Sequence, residues 1–135
     1  MMECLFCKII KGEVPSNKVY EDDLVYCFLD IMPVNRGHTL VIPKEHCENI
    51  FECSDESLSA MIKAVKKVGE AVKNAVNADG INLGMNNGKA AGQLVFHAHM
   101  HIIPRLDNDG LKHWPQKKVS KHDLEEDSRK IKDEL

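Results

Sequence analysis

Three histidines stand at alternate positions within Leu94–Pro104: His97, His99 and His101, with Phe96, Ala98, Met100 and Ile102 in the places between and beside them. Strict alternation over this length predicts a half-buried strand. In a strand, residues i, i+2 and i+4 share a face, so the spacing predicts one surface carrying three imidazoles. Backbones two residues apart are about 6.6 Å apart, which separates His97 from His101 by about 13 Å. Metal–nitrogen bonds are near ~2 Å, so one ion takes two of these side chains but hardly all three. A row of imidazoles suits an extended polar substrate such as a phosphate chain. One ring attacks phosphorus while its neighbours donate hydrogen bonds to the oxygens. The plainer reading is a chance run of surface histidines. Against it, the chain has only seven histidines, and Gly92-Gln93 and Pro104-Arg105 flank the run like parts of a site.

Other elements must hold this row in place. Val19–Asp22 and Leu24–Leu29 read as two strands of a hairpin around Asp22-Asp23. Thr39–Ile42 is a nearly continuous apolar run stopped by Pro43, a strand covered on both faces. Ser54-Asp-Glu caps a long helix. Its stripe of Leu58, Met61, Ile62, Val65, Val68, Val72 and Val76 is core, and Gly80 ends it near residue 79. Ile81–Met85 is a fourth strand, and Asn86–Gly92 a turn leading into the histidine strand. The glycines of Gly84-Met-Asn-Asn-Gly88-Lys89-Ala90 are not a phosphate-binding P-loop: three residues separate them instead of four, and Ala90 stands where Ser or Thr must reach magnesium.

Cys4-Leu-Phe-Cys7 reads as a redox dithiol or half of a zinc site. The pair lies too near the terminus for the strand that precedes a thioredoxin-like dithiol. Zinc needs two more ligands, for which His46 and His97 are candidates; two buried apolar cysteines are the bland alternative. His38, at the start of a buried strand, needs a polar partner and reads in isolation as a satisfied core histidine.

Composition bounds the rest. With 135 residues, 29% charged and 43% hydrophobic, the chain has the size and balance of one soluble domain. A net charge of −3 argues against nucleic acid as a partner. No apolar run reaches the length of a membrane span, and Met1–Lys8 lacks the apolar core of a secretory leader. Five cysteines without a leader do not suggest a disulfide framework, so the chain reads as cytoplasmic. Lys132-Asp-Glu-Leu135 spells an endoplasmic-reticulum retrieval signal, read here as coincidence in a charged terminal helix.

His97-Ala-His-Met-His-Ile-Ile103 resembles the motif that names the histidine triad (HIT) superfamily. Phe6–Pro15, Phe28–Pro33 and Gly37–Lys44 are similar to its Hint branch, so that the resemblance spans residues 3–105. It implies an α+β fold: a five-stranded antiparallel sheet with one long helix and short ones, two copies forming a homodimer with a ten-stranded sheet. The HIT domain would occupy 1–105, with 106–135 a C-terminal extension bearing a short charged helix capped at Ser120.

The resemblance also implies roles. His99 would be the nucleophile of a nucleoside phosphoramidase or related nucleotidyl hydrolase or transferase. His101 would bond the phosphate or the departing group, and His38 would support the histidines as a fourth member. Cys4, Cys7, His46 and His97 would hold one structural zinc. Asp30 would bind the ribose hydroxyls of a purine nucleotide, an AMP or GMP derivative. Phe6, Phe28 and Ile31 would line the base pocket, although plain core is at least as good a reading from the residues. Asn86 and Gln93 would contact the phosphate or leaving group. One departure stands out: Leu94 replaces the serine that eukaryotic Hint proteins carry, so any serine contact is missing. His113-Trp114-Pro115 resembles the terminal His-Trp-Pro of Hint proteins, four residues late. Rival readings are a dinucleoside polyphosphate hydrolase, a zinc-stabilised nucleotide-binding adaptor and a redox switch at Cys4 and Cys7.

Overall fold

The computed structural model describes residues 3–135; Met1 and Met2, part of the stretch expected to lack a leader, lie outside them. Five strands form one antiparallel sheet: β1 (Lys18–Glu21), β2 (Val25–Leu29), β3 (Thr39–Pro43), β4 (Gly80–Gly84) and β5 (Met100–Arg105), in the order β1-β2-β3-β5-β4. Helices α1 (Leu5–Ile10), α2 (Asp55–Ala75) and α3 (Lys121–Asp133) complete the described elements, with a short 3-10 turn at Lys89–Ala91.

The two faces of the sheet are covered by different helices. Met61, Ala64, Val65, Val68 and Val72 of α2 pack on Val25, Cys27, Val41 and Ile102; burying each larger side chain contributes about 1.5–3 kcal/mol. Phe6 and Ile9 of α1 pack on Tyr26, Phe28, Leu40 and Ile42. All five residues of β3 are buried, as expected for a strand covered on both sides. Leu40 pairs with His101, which puts the histidine row on the α1 face. No helix among the described residues is long and apolar enough to cross a membrane.

Ser54 caps α2, its side chain accepting from the Ser57 N–H. The helix stops at Ala75, short of the expected residue 79, because Asn77 takes a left-handed backbone (φ 52°), which asparagine tolerates better than most side chains. Ile62, expected in the buried stripe, is 52% exposed. At Gly37 (φ 94°) a Cβ would lie 3.0 Å from the Val76 side chain, so glycine lets the approach to β3 pass close to the end of α2. α3 is capped by Ser120 as expected, but Leu124 and Ile131 are 57% and 63% exposed.

Candidate active site and metal centre

The histidine stretch is not one continuous strand. β5 begins only at Met100, and β3 pairs with it from Thr39 to Val41 alone. Pro43 has no N–H with which to extend the ladder. The Ala98 N–H instead donates to the Cys47 carbonyl at 2.7 Å, and the His97 ring donates through Nε2 to the Pro43 carbonyl at 2.7 Å. This expectation is corrected: only His101 sits in the strand, while His97 lies on a bend and His99 in the irregular stretch that leads from it into β5.

The rings nevertheless form a line on the α1 face. His46 and His97 lie 5.1 Å apart, His99 and His101 5.0 Å, and His101 and His38 5.1 Å between centroids. Phe6 packs in a T-shaped arrangement with both His97 and His99, with centroids 5.9 and 5.2 Å apart. Phe6 and Phe28 are each 5% exposed and pack together, while Ile31 is 84% exposed. The three do not form one wall in this single chain.

Hydrogen bonding assigns the proton on each ring. The Val34 N–H donates to His38 Nδ1 at 3.0 Å, so the proton of neutral His38 is on Nε2. That Nε2 lies 2.8 Å from His101 Nδ1, which must accept, leaving His101 Nε2 as an N–H donor. His99 donates through Nδ1 to the His97 carbonyl at 2.7 Å, leaving its Nε2 with a free lone pair. One ring therefore offers a nucleophile and its neighbour a hydrogen-bond donor.

Burial keeps these rings neutral. It pushes His101 down to about 4, helped by His99 and His38, and lowers His38 and His99 against the opposing Asp30 carboxylate. Asp30 Oδ1 accepts from the Met32 N–H at 2.8 Å, while Oδ2 stands 3.7 Å from His38 Nε2. One carboxylate oxygen is thus engaged in its own turn and the other faces the histidines.

Cys4, Cys7, His46 and His97 come together. His46 Nδ1 and His97 Nδ1 are 3.3 Å apart. Sulfur–nitrogen separations are 3.4 Å for Cys4–His97, 3.4 Å for Cys7–His46 and 3.6 Å for Cys7–His97. Zinc bond lengths in a regular tetrahedron give edges of about 3.3 Å between nitrogens and about 3.6 Å between sulfur and nitrogen. The donor set fits that ion. His97 is set for it: Nε2 is held by Pro43, Nδ1 faces the thiols, and burial takes its pKa down to about 4. Glu45 helps place His46 by accepting from Ser54 and Ser57 at the start of α2. Asp30, His38 and His101 also converge. Their 2.8 Å nitrogen–nitrogen contact is that of a shared proton, and shorter than the edge of a zinc tetrahedron.

Gln93 is 2% exposed, and its amide is occupied. Oε1 accepts from the Gly88 N–H at 2.8 Å, and Nε2 donates to the carbonyls of Glu48 and Val95. Its expected phosphate contact has no donor left over; it braces the turn instead. Asn86 lies against Gly92 (φ 95°), where a Cβ would be 3.5 Å from its Nδ2. Leu94 and Trp114 are 89% and 87% exposed.

Sequence reasoning missed two features. The backbone groups that set the tautomers (Val34 N–H, Pro43 C=O and His97 C=O) carry no signal in residue type. Cys47 and Cys53 are joined in a disulfide, where none was expected. The odd cysteine count was compatible with it: two for the metal cluster, two for the bridge and Cys27 left buried.

A single antiparallel sheet with a line of neutral imidazoles on one face, ending in a Cys2His2 cluster, defines a narrow class of proteins. The HIT domain family matches residues 11–108, and the chain belongs to it. It is 46% identical to the solved structure of a HIT family member from Bacillus subtilis, covering 99% of this chain and 98% of that one with a TM-score of 0.92. It is 44% identical to the adenosine 5'-monophosphoramidase hnt1 of Schizosaccharomyces pombe over 97% of this chain and 100% of that one. A zinc-bound histidine triad family protein from Mycobacterium smegmatis is 39% identical, covering 85% of this chain and 84% of that one with a TM-score of 0.78.

Proposed function

We propose that the chain hydrolyses nucleoside 5'-phosphoramidates, or transfers their nucleotidyl group, through a covalent histidine intermediate. The observation that carries this reading is the tautomer of His99: Nδ1–H donates to the His97 carbonyl at 2.7 Å, so Nε2 keeps its lone pair beside the His101 donor. His99 Nε2 attacks the α-phosphorus and the P–N bond breaks. His101 Nε2–H donates a hydrogen bond to the phosphoryl oxygen or the departing nitrogen, and His38 holds it in that tautomer; the departing amine takes its proton from water, so both imidazoles stay neutral. Water next attacks the phosphorus, the P–Nε2 bond breaks, and a nucleoside monophosphate leaves. Asp30 is assigned to the ribose hydroxyls and Asn86 to the phosphate; Phe6, Phe28 and Ile31 are assigned to the base side of an AMP or GMP derivative. Similarity to the adenosine 5'-monophosphoramidase of Schizosaccharomyces pombe supports the same chemistry.

The Cys4, Cys7, His46 and His97 cluster is assigned to one structural zinc, which when bound has all four positions filled by protein and so offers the reaction no open site. Its effect is mechanical: it fixes His97, whose carbonyl orients His99. A homodimer is part of the reading, since β4 ends the sheet with Leu83 51% exposed. The test compares monophosphate release from adenosine 5'-phosphoramidate and from diadenosine polyphosphates. Faster release from the phosphoramidate is expected; a clear preference for the polyphosphate would move the assignment to the rival hydrolase.

A further inference from the structure

The loop between Cys47 and Cys53 touches the segment that leads into His97 and His99, and a disulfide closes it. The two half-cystines have Cα atoms 5.2 Å apart, are 3% and 8% exposed, and pack with Ala98. His46 of the metal cluster precedes the loop directly. Within it, the Cys47 carbonyl accepts from the Ala98 N–H, between His97 and His99. The Glu48 carbonyl accepts from Gln93 Nε2, and the Ile50 N–H donates to Asn87 Oδ1 at 2.8 Å. Apolar anchoring is slight, because Ile50 is 38% and Phe51 88% exposed. Three polar bonds and the packing of the two half-cystines on Ala98 hold the loop to the segment that carries the histidines.

We propose that Cys47 and Cys53 are a reversible thiol–disulfide modification site whose closed form holds residues 86–99 in register. The reductant is a dithiol of the thioredoxin class. Its thiolate attacks the Sγ of Cys53, the less deeply buried of the two residues; the Cys47–Cys53 bond breaks, a mixed disulfide forms, and the Cys47 thiolate takes up a proton. The second thiol of the reductant displaces Cys53, so two electrons and two protons pass to the chain and the reductant leaves as its disulfide. Exchange with oxidised glutathione runs the reaction back. Six residues of separation keep the thiols close when reduced, which favours reclosure. The pair is distinct from Cys4 and Cys7, which belong to the metal cluster. Its expected effect on turnover rests on the function proposed above; the thiol chemistry does not.

The experiment equilibrates the full chain with oxidised glutathione or with a phosphine reductant, then denatures, alkylates and weighs it. The closed form gives three alkylated cysteines, matching the three free cysteines, and the reduced form gives all five. Native amide exchange at Ile50 and Ala98 is read alongside, and is expected to be about tenfold faster in the reduced protein. The Cys47→Ser/Cys53→Ser double variant is expected to exchange at the reduced rate under both treatments. Five alkylations after glutathione, or equal exchange in the two states, would overturn the proposal. Turnover about tenfold lower in the reduced form is the expected functional consequence. Absence of turnover in both states would count against the hydrolase reading alone, because exchange and thiol count need neither substrate nor metal.

Discussion

His38 Nε2 stands 2.8 Å from His101 Nδ1, and His38 is itself pinned by the Val34 N–H at 3.0 Å. A backbone amide thereby decides, through two imidazoles, that His101 presents an N–H on its far side. The residue that reads from sequence as a satisfied core histidine sets the donor geometry of its neighbour.

Replacing His38 with phenylalanine keeps a planar ring but removes the donor to His101. His101 is then free to change tautomer. We expect kcat to fall about ten- to a hundredfold with KM nearly unchanged. Steady-state kinetics, with nitrogen-15 spectra of the His101 ring, would show both effects.

The same two rings predict how stability depends on pH. Burial lowers His38 and takes His101 to about 4, whereas an unfolded histidine titrates near ~6.5. Between these values the unfolded chain binds more protons than the folded one, so stability rises with pH. It is fully present above about 6.5 and declines as pH falls towards about 4. The melting temperature from pH 7.5 to pH 4.5 should drop steadily below about 6.5, and His38→Phe should flatten that slope.

Metal analysis of protein prepared without a histidine tag should give about one zinc per chain. Cys7→Ser opens the cluster and should lower the melting temperature by about 10 °C. It should also slow turnover, because His97 then no longer holds its carbonyl firmly against His99.

The histidine line was legible because alternation is a strong periodic signal, and β5 uses it from Met100 onward. The break from strand at His97 and His99 was not, since it depends on Pro43 ending the ladder and on His97 turning to the thiols. β3 was legible from its unbroken apolar run. The end of α2 was not, because Asn77 adopts a conformation more often supplied by glycine, and Gly80 drew the boundary too late. The metal cluster followed from the resemblance, and neither half of it announces the other by spacing. Gln93 shows the limit most clearly: an amide near a phosphate site reads as a donor to the ligand, yet its hydrogen bonds all point inward.

The most direct measurement is to quench a slow phosphoramidate analogue during turnover and weigh the intact protein and its peptides. A nucleoside monophosphate joined to the peptide carrying His99, and absent from His99→Ala, which should still bind nucleotide, is the predicted result. Unchanged turnover in His99→Ala, or an adduct on another residue, would contradict it.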